Sequence, residues 1–225
     1  SDKVGWHLKS LAGKKKVVLE LGGNAAVLID ETAEVETIAK EIAGGSYLYA
    51  GQICISTQRI FVETSKYDEF IVAFSRATEE LKIGDPNDKE VSVGPIIDQH
   101  HLERIENWVN EALDRGAKLI FGGKVKDREH HLFEPTLLTE VNDTMKVYTE
   151  EAFAPLAVIE KYQSWEEGLK KVNDSKYGLQ VGVYTQRIDR MKDAFNKIEA
   201  AGVIINGIPG FRIDHMPYGG IKDSG

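Results

Sequence analysis

Short apolar runs of strand length alternate with segments of helical periodicity along almost the whole chain. The apolar runs predict strands near residues 17–20, 25–29, 59–62, 119–121, 156–159, 181–184 and 203–205. Apolar residues at helical spacing predict amphipathic helices near residues 34–49, 66–82, 98–115, 164–173 and 188–200. This alternation is typical of an α/β fold, in which helices cover both faces of a mostly parallel sheet. The polar stretch 124–131 is predicted to be a mobile surface loop.

Composition limits the class of partner and the compartment. With 28 basic and 36 acidic residues the chain has a net charge of −8, which argues against a nucleic-acid or anionic-membrane surface. No apolar run approaches the roughly 20 residues needed to span a bilayer, and the first residues lack the apolar core of a signal peptide. The single cysteine cannot form an internal disulfide, which favours a reducing compartment. We therefore expect a cytoplasmic protein without nucleic-acid or membrane partners.

Two pairs of adjacent histidines raise the question of a metal site: His100 with His101, and His130 with His131. Adjacent histidines point in different directions on a helix or strand. No second cysteine or tight acidic set completes a tetrahedral site. We predict no bound metal.

The only cysteine, Cys54, follows a break in the chain at Gly51 and is therefore expected to be reachable. A lone cysteine is more often a packing residue than a nucleophile. Two acidic motifs elsewhere in the chain make a nucleophile the better interpretation here. Glu20 comes shortly before the pair Gly22 and Gly23, where a backbone can approach a ligand closely, and Glu151 opens a second motif. Together these residues indicate a nucleophile with its helpers.

Three motifs in this order resemble those of the NAD(P)-dependent aldehyde dehydrogenase superfamily. They are Leu19-Glu20-Leu21-Gly22-Gly23-Asn24, Gly51-Gln52-Ile53-Cys54 and Glu151-Ala152-Phe153-Ala154-Pro155. Smaller motifs agree along the whole length: Gly94-Pro95-Ile96, Phe133-Glu134-Pro135-Thr136, Tyr177-Gly178-Leu179 and the closing stretch 217–225. The resemblance implies a three-layer catalytic domain with a mostly parallel sheet flanked by helices.

The resemblance also sets expectations about domain organisation. Members of the family are roughly twice as long, so we expect a fragment in which residues 1–19 end the coenzyme-binding domain. Residues 20–219 would form the catalytic domain, and residues 220–225 would begin the following segment. We expect the isolated fragment to be inactive or nearly so, and the full-length parent to be a homodimer or homotetramer.

The chemistry of an aldehyde explains why a thiol and a carboxylate are both needed. Cys54 would add to the aldehyde to give a thiohemiacetal, which expels hydride toward the nicotinamide and leaves a thioester. Glu20 would activate the water that releases the acid. Members that transfer the acyl group to coenzyme A do not need this carboxylate, so we expect hydrolytic release.

The remaining site residues follow from the resemblance. It implies that Glu151 hydrogen-bonds the ribose of NAD or NADP, that Phe153 lies against the nicotinamide, and that Leu21 and Gly22 approach the cofactor. Ala154 stands where glycine is common in the family. Most of the cofactor would be bound by the missing N-terminal region.

The substrate is expected to be a small aldehyde. By resemblance, Ile53 and Ile55 shape the inner pocket, and residues 211–216 line its entrance. Arg212 and His215 could bind a carboxylate, phosphate or hydroxyl of the substrate. The plain alternative is that Arg212 pairs with Asp214 on a surface loop.

Two other function classes stay open. One is a cysteine-dependent hydrolase or acyltransferase in which His215 assists Cys54. The other is a noncatalytic assembly module that keeps the same fold. Dependence on a nicotinamide cofactor distinguishes the dehydrogenase from the hydrolase.

Overall fold

A seven-stranded sheet forms the centre of the computed structural model, which describes residues 2–225. The helices are α1 (Asp2–Leu11), α2 (Val35–Tyr47), α3 (Tyr67–Glu79), α4 (Gln99–Asp114), α5 (Lys146–Thr149), α6 (Trp165–Asn173) and α7 (Ile188–Lys197). The strands are β1 (Ala26–Ile29), β2 (Arg59–Glu63), β3 (Lys118–Phe121), β4 (Val125–Asp127), β5 (Leu132–Phe133), β6 (Thr136–Thr139), β7 (Leu156–Tyr162), β8 (Tyr177–Gly178), β9 (Gln180–Tyr184), β10 (Gly202–Ile205) and β11 (Ile221–Lys222).

The strand order of the sheet is β10-β9-β1-β2-β7-β6-β3. All neighbours in it run parallel except β3, which pairs antiparallel with β6. Parallel strands need covered faces, and β1 is buried along its whole length. The α/β fold with a mostly parallel sheet is confirmed.

Alternate residues of β1 enter two separate cores. Val27 and Ile29 pack into the core beneath α2 and α3, whereas Leu28 packs with residues of α4 and α6 on the opposite face. This division follows from the twofold alternation of side chains along a strand. The result is three layers, with the sheet in the middle.

The expected strand at residues 17–20 is wrong. Val18 is 82% exposed, and the segment is an extended loop. Its hydrogen bonds go to the last residues of the chain: Leu19 O accepts from the Gly220 N–H, and the Leu21 N–H donates to Ser224 O. Among the described residues this run pairs with no strand, so its apolar composition is not matched by a ladder of backbone hydrogen bonds.

The stretch 124–131, expected to be a mobile loop, contains β4 and a tight turn into β5. In that turn the Asp127 carboxylate accepts a hydrogen bond from the His130 N–H at 3.1 Å. The predicted domain limits at residues 19 and 219 stay predictions. Among the described residues, none of the helices is both long and apolar enough to cross a membrane.

Candidate active site

The three acidic and thiol motifs precede three neighbouring strands. Glu20 comes before β1, Cys54 before β2 and Glu151 before β7. These strands lie side by side in the order β1-β2-β7 and run parallel, so their amino ends meet at one edge of the sheet. Residues far apart in sequence are thereby brought together at that edge.

The turn before Cys54 contains three consecutive residues with left-handed backbone. These residues are Tyr49, Ala50 and Gly51, with φ values of 52°, 55° and 66°. A Cβ atom at position 51 would lie 2.1 Å from the Ala154 carbonyl oxygen, so only glycine fits there. This close approach packs the cysteine turn against the segment that carries Glu151.

Cys54 and Glu20 contact each other directly. The Cys54 thiol donates a hydrogen bond to the Glu20 carboxylate, with Sγ and Oε1 2.8 Å apart. Cys54 is half-buried, and burial together with the adjacent Glu20 carboxylate raises the pKa of the thiol to about 12. In this state the thiol keeps its proton at neutral pH, and Glu20 is the nearest base that can take it.

Glu151 folds back over the glycine pair. The Gly23 N–H donates to Glu151 Oε1 at 2.9 Å, and a Cβ atom at Gly22 would lie 2.6 Å from Glu151 Oε2. Burial raises the pKa of the Glu151 carboxyl, against the Gly23 N–H and the charge of Arg104, which lower it. The contact explains why position 22 is a glycine.

The Leu21 and Gly22 loop is held by the end of the chain. Ser224 is completely buried; its hydroxyl donates to the Gly22 carbonyl at 2.7 Å and accepts from the Gly178 N–H at 3.1 Å. Residues of the closing motif therefore fix the loop that follows Glu20. In the sequence this motif indicated the family but no particular task.

Arg59, at the start of β2, is a buried cation that the sequence motifs do not single out. Its Nε donates to the Asn24 carbonyl at 3.0 Å, and its guanidinium reaches the carbonyls of Lys171, Val172 and Asp174 at the end of α6. The negative end of the α6 dipole suits this charge. The feature of the sequence that could have indicated Arg59 is a charged residue at the first position of a buried strand.

The substrate residues lie in different surroundings. Ile53 is half-buried next to Cys54, whereas Ile55 is 8% exposed and packs inside the protein. Arg212 and His215 are both exposed. The Arg212 guanidinium lies 3.8 Å from the Asp214 carboxylate, the pairing expected in the plain alternative.

Arg212 also stacks on a residue that sequence reasoning missed. Its guanidinium carbon lies 4.7 Å from the centroid of the Tyr218 ring. Tyr218 is half-buried near both Cys54 and Glu20; burial, followed by these two neighbours, raises the pKa of its hydroxyl. The Tyr218 ring thus contacts the Arg212 guanidinium and also lies near the Cys54 thiol.

The remaining cofactor residue, Phe153, has a left-handed backbone with φ of 48°, and 38% of its surface is exposed. The Phe153 ring is therefore partly accessible from solvent. In residues 2–225, no group of three histidine, cysteine or acidic side chains is placed to hold a metal ion. His101 and His130 instead pair with Asp98 and Asp127.

The sequence profile described as "Aldehyde dehydrogenase family" matches residues 1–225. The chain belongs to the aldehyde dehydrogenase family. The 3-sulfolactaldehyde dehydrogenase of Priestia aryabhattai is 44% identical over 225 residues, an alignment that covers 100% of this chain and 46% of that protein. The chain therefore spans about half the length of the family members it matches.

Solved structures of family members have the same fold. Aldehyde dehydrogenase 21 from Physcomitrella patens, in complex with the reaction product succinate, superposes with a TM-score of 0.94 at 38% identity, over 100% of this chain and 46% of that one. Glyceraldehyde-3-phosphate dehydrogenase GapN from Methanocaldococcus jannaschii, complexed with NADP, gives a TM-score of 0.93 at 38% identity, over 100% and 48%.

Proposed function

We propose that this aldehyde dehydrogenase chain is the catalytic part of an NAD(P)-dependent enzyme that oxidises a small aldehyde to its carboxylic acid. The observation that carries the proposal is the 2.8 Å hydrogen bond from the Cys54 thiol to Glu20. A thiol paired with a carboxylate, rather than with a histidine, favours this reaction over the hydrolase. The family match supports the same class of reaction.

The first half of the reaction uses Glu20 as a proton acceptor. Glu20 takes the thiol proton while the Cys54 sulfur forms a bond to the aldehyde carbon, and the carbonyl oxygen becomes an oxyanion. The Cys54 backbone N–H is one donor for that oxyanion. As the carbonyl re-forms, the carbon loses its hydrogen as hydride, and the acyl group stays on Cys54 as a thioester.

The second half uses Glu20 again. Because Glu20 is exposed, it can release the first proton to solvent. It then accepts a proton from the water that attacks the thioester carbon. The carbon–sulfur bond breaks, the carboxylic acid leaves and Cys54 is regenerated. Release is therefore hydrolytic and does not need coenzyme A.

The residues at the edge of the sheet fit a nicotinamide cofactor. NAD or NADP, when bound, supplies the acceptor for the hydride. Because position 22 has no side chain, the Glu151 carboxylate lies directly on the backbone of Gly22 and Gly23. A ligand bound by Glu151 would then contact the adjacent backbone of Leu21 and Gly22. We propose that Glu151 accepts hydrogen bonds from the cofactor ribose and that the exposed Phe153 ring lies against the nicotinamide.

We further propose that the substrate carries an anionic group, a carboxylate, phosphate or sulfonate. Arg212 stacked on Tyr218 supports this, since it sets a cation near the reacting thiol. The relatives named above act on, or release, compounds that carry such groups. His215 on the same loop is a second candidate contact.

An Arg212→Gln variant should raise the KM of anionic aldehydes while leaving that of neutral ones unchanged; equal effects on both would contradict the proposal.

The mechanism is tested in the protein encoded by the complete reading frame. We expect Cys54→Ala to abolish NAD(P)H formation, because no thioester can form. Glu20→Gln should allow at most a single burst and then stop, because the thioester persists. Stopped-flow absorbance of NAD(P)H measures both. Steady turnover by Cys54→Ala would refute the mechanism, and an acyl–coenzyme A product would refute hydrolytic release.

The parent is proposed to be a cytoplasmic homodimer or homotetramer. These expectations follow from composition and from the family resemblance alone.

A further inference from the structure

Gln58, the residue before β2, connects the cysteine turn to the segment that carries Glu151. Its side chain is 4% exposed. Its Nε2 donates to the Val147 carbonyl at 2.9 Å and to the Glu150 carbonyl at 2.8 Å. Its Oε1 accepts from the Ala152 N–H at 2.9 Å. Both amide donors and the amide oxygen are therefore used on one segment.

These bonds bracket Glu151. Gln58 binds the carbonyl of the residue before Glu151 and the N–H of the residue after it. The backbone at position 151 is thereby held on both sides. The Glu151 carboxylate is then free to reach the Gly23 N–H.

The main chain of Gln58 is equally fixed. Its N–H donates to the Ala25 carbonyl at 3.0 Å, and its carbonyl accepts from the Val158 N–H at 2.8 Å. Gln58 is thus anchored at the amino ends of β1, β2 and β7 together. Because the backbone of Gln58 is fixed, its side-chain amide also has a fixed position, and so do the groups that this amide hydrogen-bonds.

We propose that Gln58 is a positioning residue for the nicotinamide cofactor, which it affects by fixing the Glu151 carboxylate over the Gly22 and Gly23 loop. The inference rests on the proposed role of Glu151 as a cofactor ligand. A residue that only stabilised the fold would weaken cofactor binding equally whether or not Glu151 could bind. A positioning residue requires Glu151 for its effect.

The experiment is a double-mutant cycle in the protein encoded by the complete reading frame. The variants are Gln58→Met, Glu151→Gln and the two combined. Methionine has a similar shape but cannot hydrogen-bond through an amide. The dissociation constants of NADH and NADPH are measured by fluorescence titration, so no aldehyde is needed. We expect Gln58→Met to weaken binding about tenfold when Glu151 is intact, and less than about twofold when Glu151→Gln is already present.

A matched control separates positioning from loss of stability. Tyr162→Phe removes another buried hydrogen bond, from the Tyr162 hydroxyl to the Ile29 carbonyl at 2.9 Å, away from the site. We expect it to lower the denaturation midpoint while leaving cofactor affinity unchanged. If Gln58→Met does not fold, Gln58→Asn, which keeps the amide but is one methylene shorter, takes its place in the cycle.

Each outcome decides the matter. Unchanged affinity in Gln58→Met, or an equal loss in both backgrounds, overturns the inference while Glu151 keeps its proposed role. Unchanged affinity in Glu151→Gln refutes that role, and the inference with it. A loss confined to the background with intact Glu151 supports both.

Discussion

The thiol of Cys54 and the carboxylate of Glu20 hold one proton between them. Burial and the neighbouring carboxylate both favour the neutral thiol, so we expect the resting nucleophile to react slowly with oxidants and alkylating agents. Proton transfer to Glu20 becomes favourable only when the sulfur has a carbon to attack. The same contact that suppresses the thiolate therefore provides the route by which it forms.

This contact predicts an unusual pH dependence for alkylation of Cys54 by iodoacetamide. With a pKa of about 12, the thiol deprotonates only as pH rises far above neutrality, so the rate should still be increasing at about pH 10. Glu20→Gln removes a cause that raises this pKa, and we expect the profile to shift to lower pH. Mass spectrometry of the labelled peptide gives the rates. A plateau near about pH 9 in the unaltered protein would contradict the expectation.

Sequence and structure differ most in what they say about individual residues. The sequence separation of Glu20 and Cys54 does not indicate whether they are in contact. They were expected to act together because of the glycines after Glu20 and because the motifs resemble those of a family. Gln58 and Arg59 were missed because their tasks depend on carbonyls far along the chain. A charged residue at the start of a buried strand was the one sign of Arg59, and it did not indicate which groups Arg59 would bind. Tyr218 was part of a matched motif, but its position beside the thiol depends on how the closing segment folds back.

Among the elements, the turn between α2 and β2 has the strictest requirements. Its three left-handed residues reverse the chain, and Gly51 lets the turn touch the Ala154 carbonyl. Alanine at position 154, where glycine is common in the family, is accommodated because its backbone rather than its side chain meets Gly51.

We expect Gly51→Ala to destabilise the protein by about 2 to 4 kcal/mol, because the left-handed backbone and the overlap with Ala154 add together. Gly44→Ala is the matched control within α2. A Cβ atom there meets nothing within 4 Å, so this change should stabilise the protein by about 0.5 to 1 kcal/mol. Urea denaturation measures both free energies. A neutral Gly51→Ala would show that the turn has another conformation.

Elements with a complete sequence pattern were predicted well. α4 was expected because Leu102, Ile105, Val109 and Ala112 recur at helical spacing, and all four are buried. β6 was not predicted, since four residues directly after Pro135 carry too little pattern to distinguish a strand from a loop. The run at residues 17–20 shows the converse: apolar composition alone does not tell whether a partner strand is present.

At the scale of the whole molecule, the candidate site is open on one side. Glu20 is exposed, Phe153 is 38% exposed, and the chain spans about half the length of its relatives. In the proposed mechanism the Cys54 backbone N–H is one donor for the oxyanion. This chain thus contains some of the groups that the proposed reaction uses.

We therefore expect the isolated chain of 225 residues to show almost no steady oxidation of aldehydes with NAD or NADP. The product of the complete reading frame, assayed in parallel, should be active. Circular dichroism tests whether the isolated chain is folded, and NAD(P)H absorbance measures turnover. Comparable rates for the two proteins would show that residues 1–225 contain everything the reaction needs.

All three motifs lie at the amino ends of β1, β2 and β7, a strand's length, about 15 Å, from the carboxyl ends. The two ends of these three strands therefore have different tasks. We expect substitutions at their amino ends to change the rate of the reaction, and insertions in the loops that follow their carboxyl ends to change only the stability of the protein.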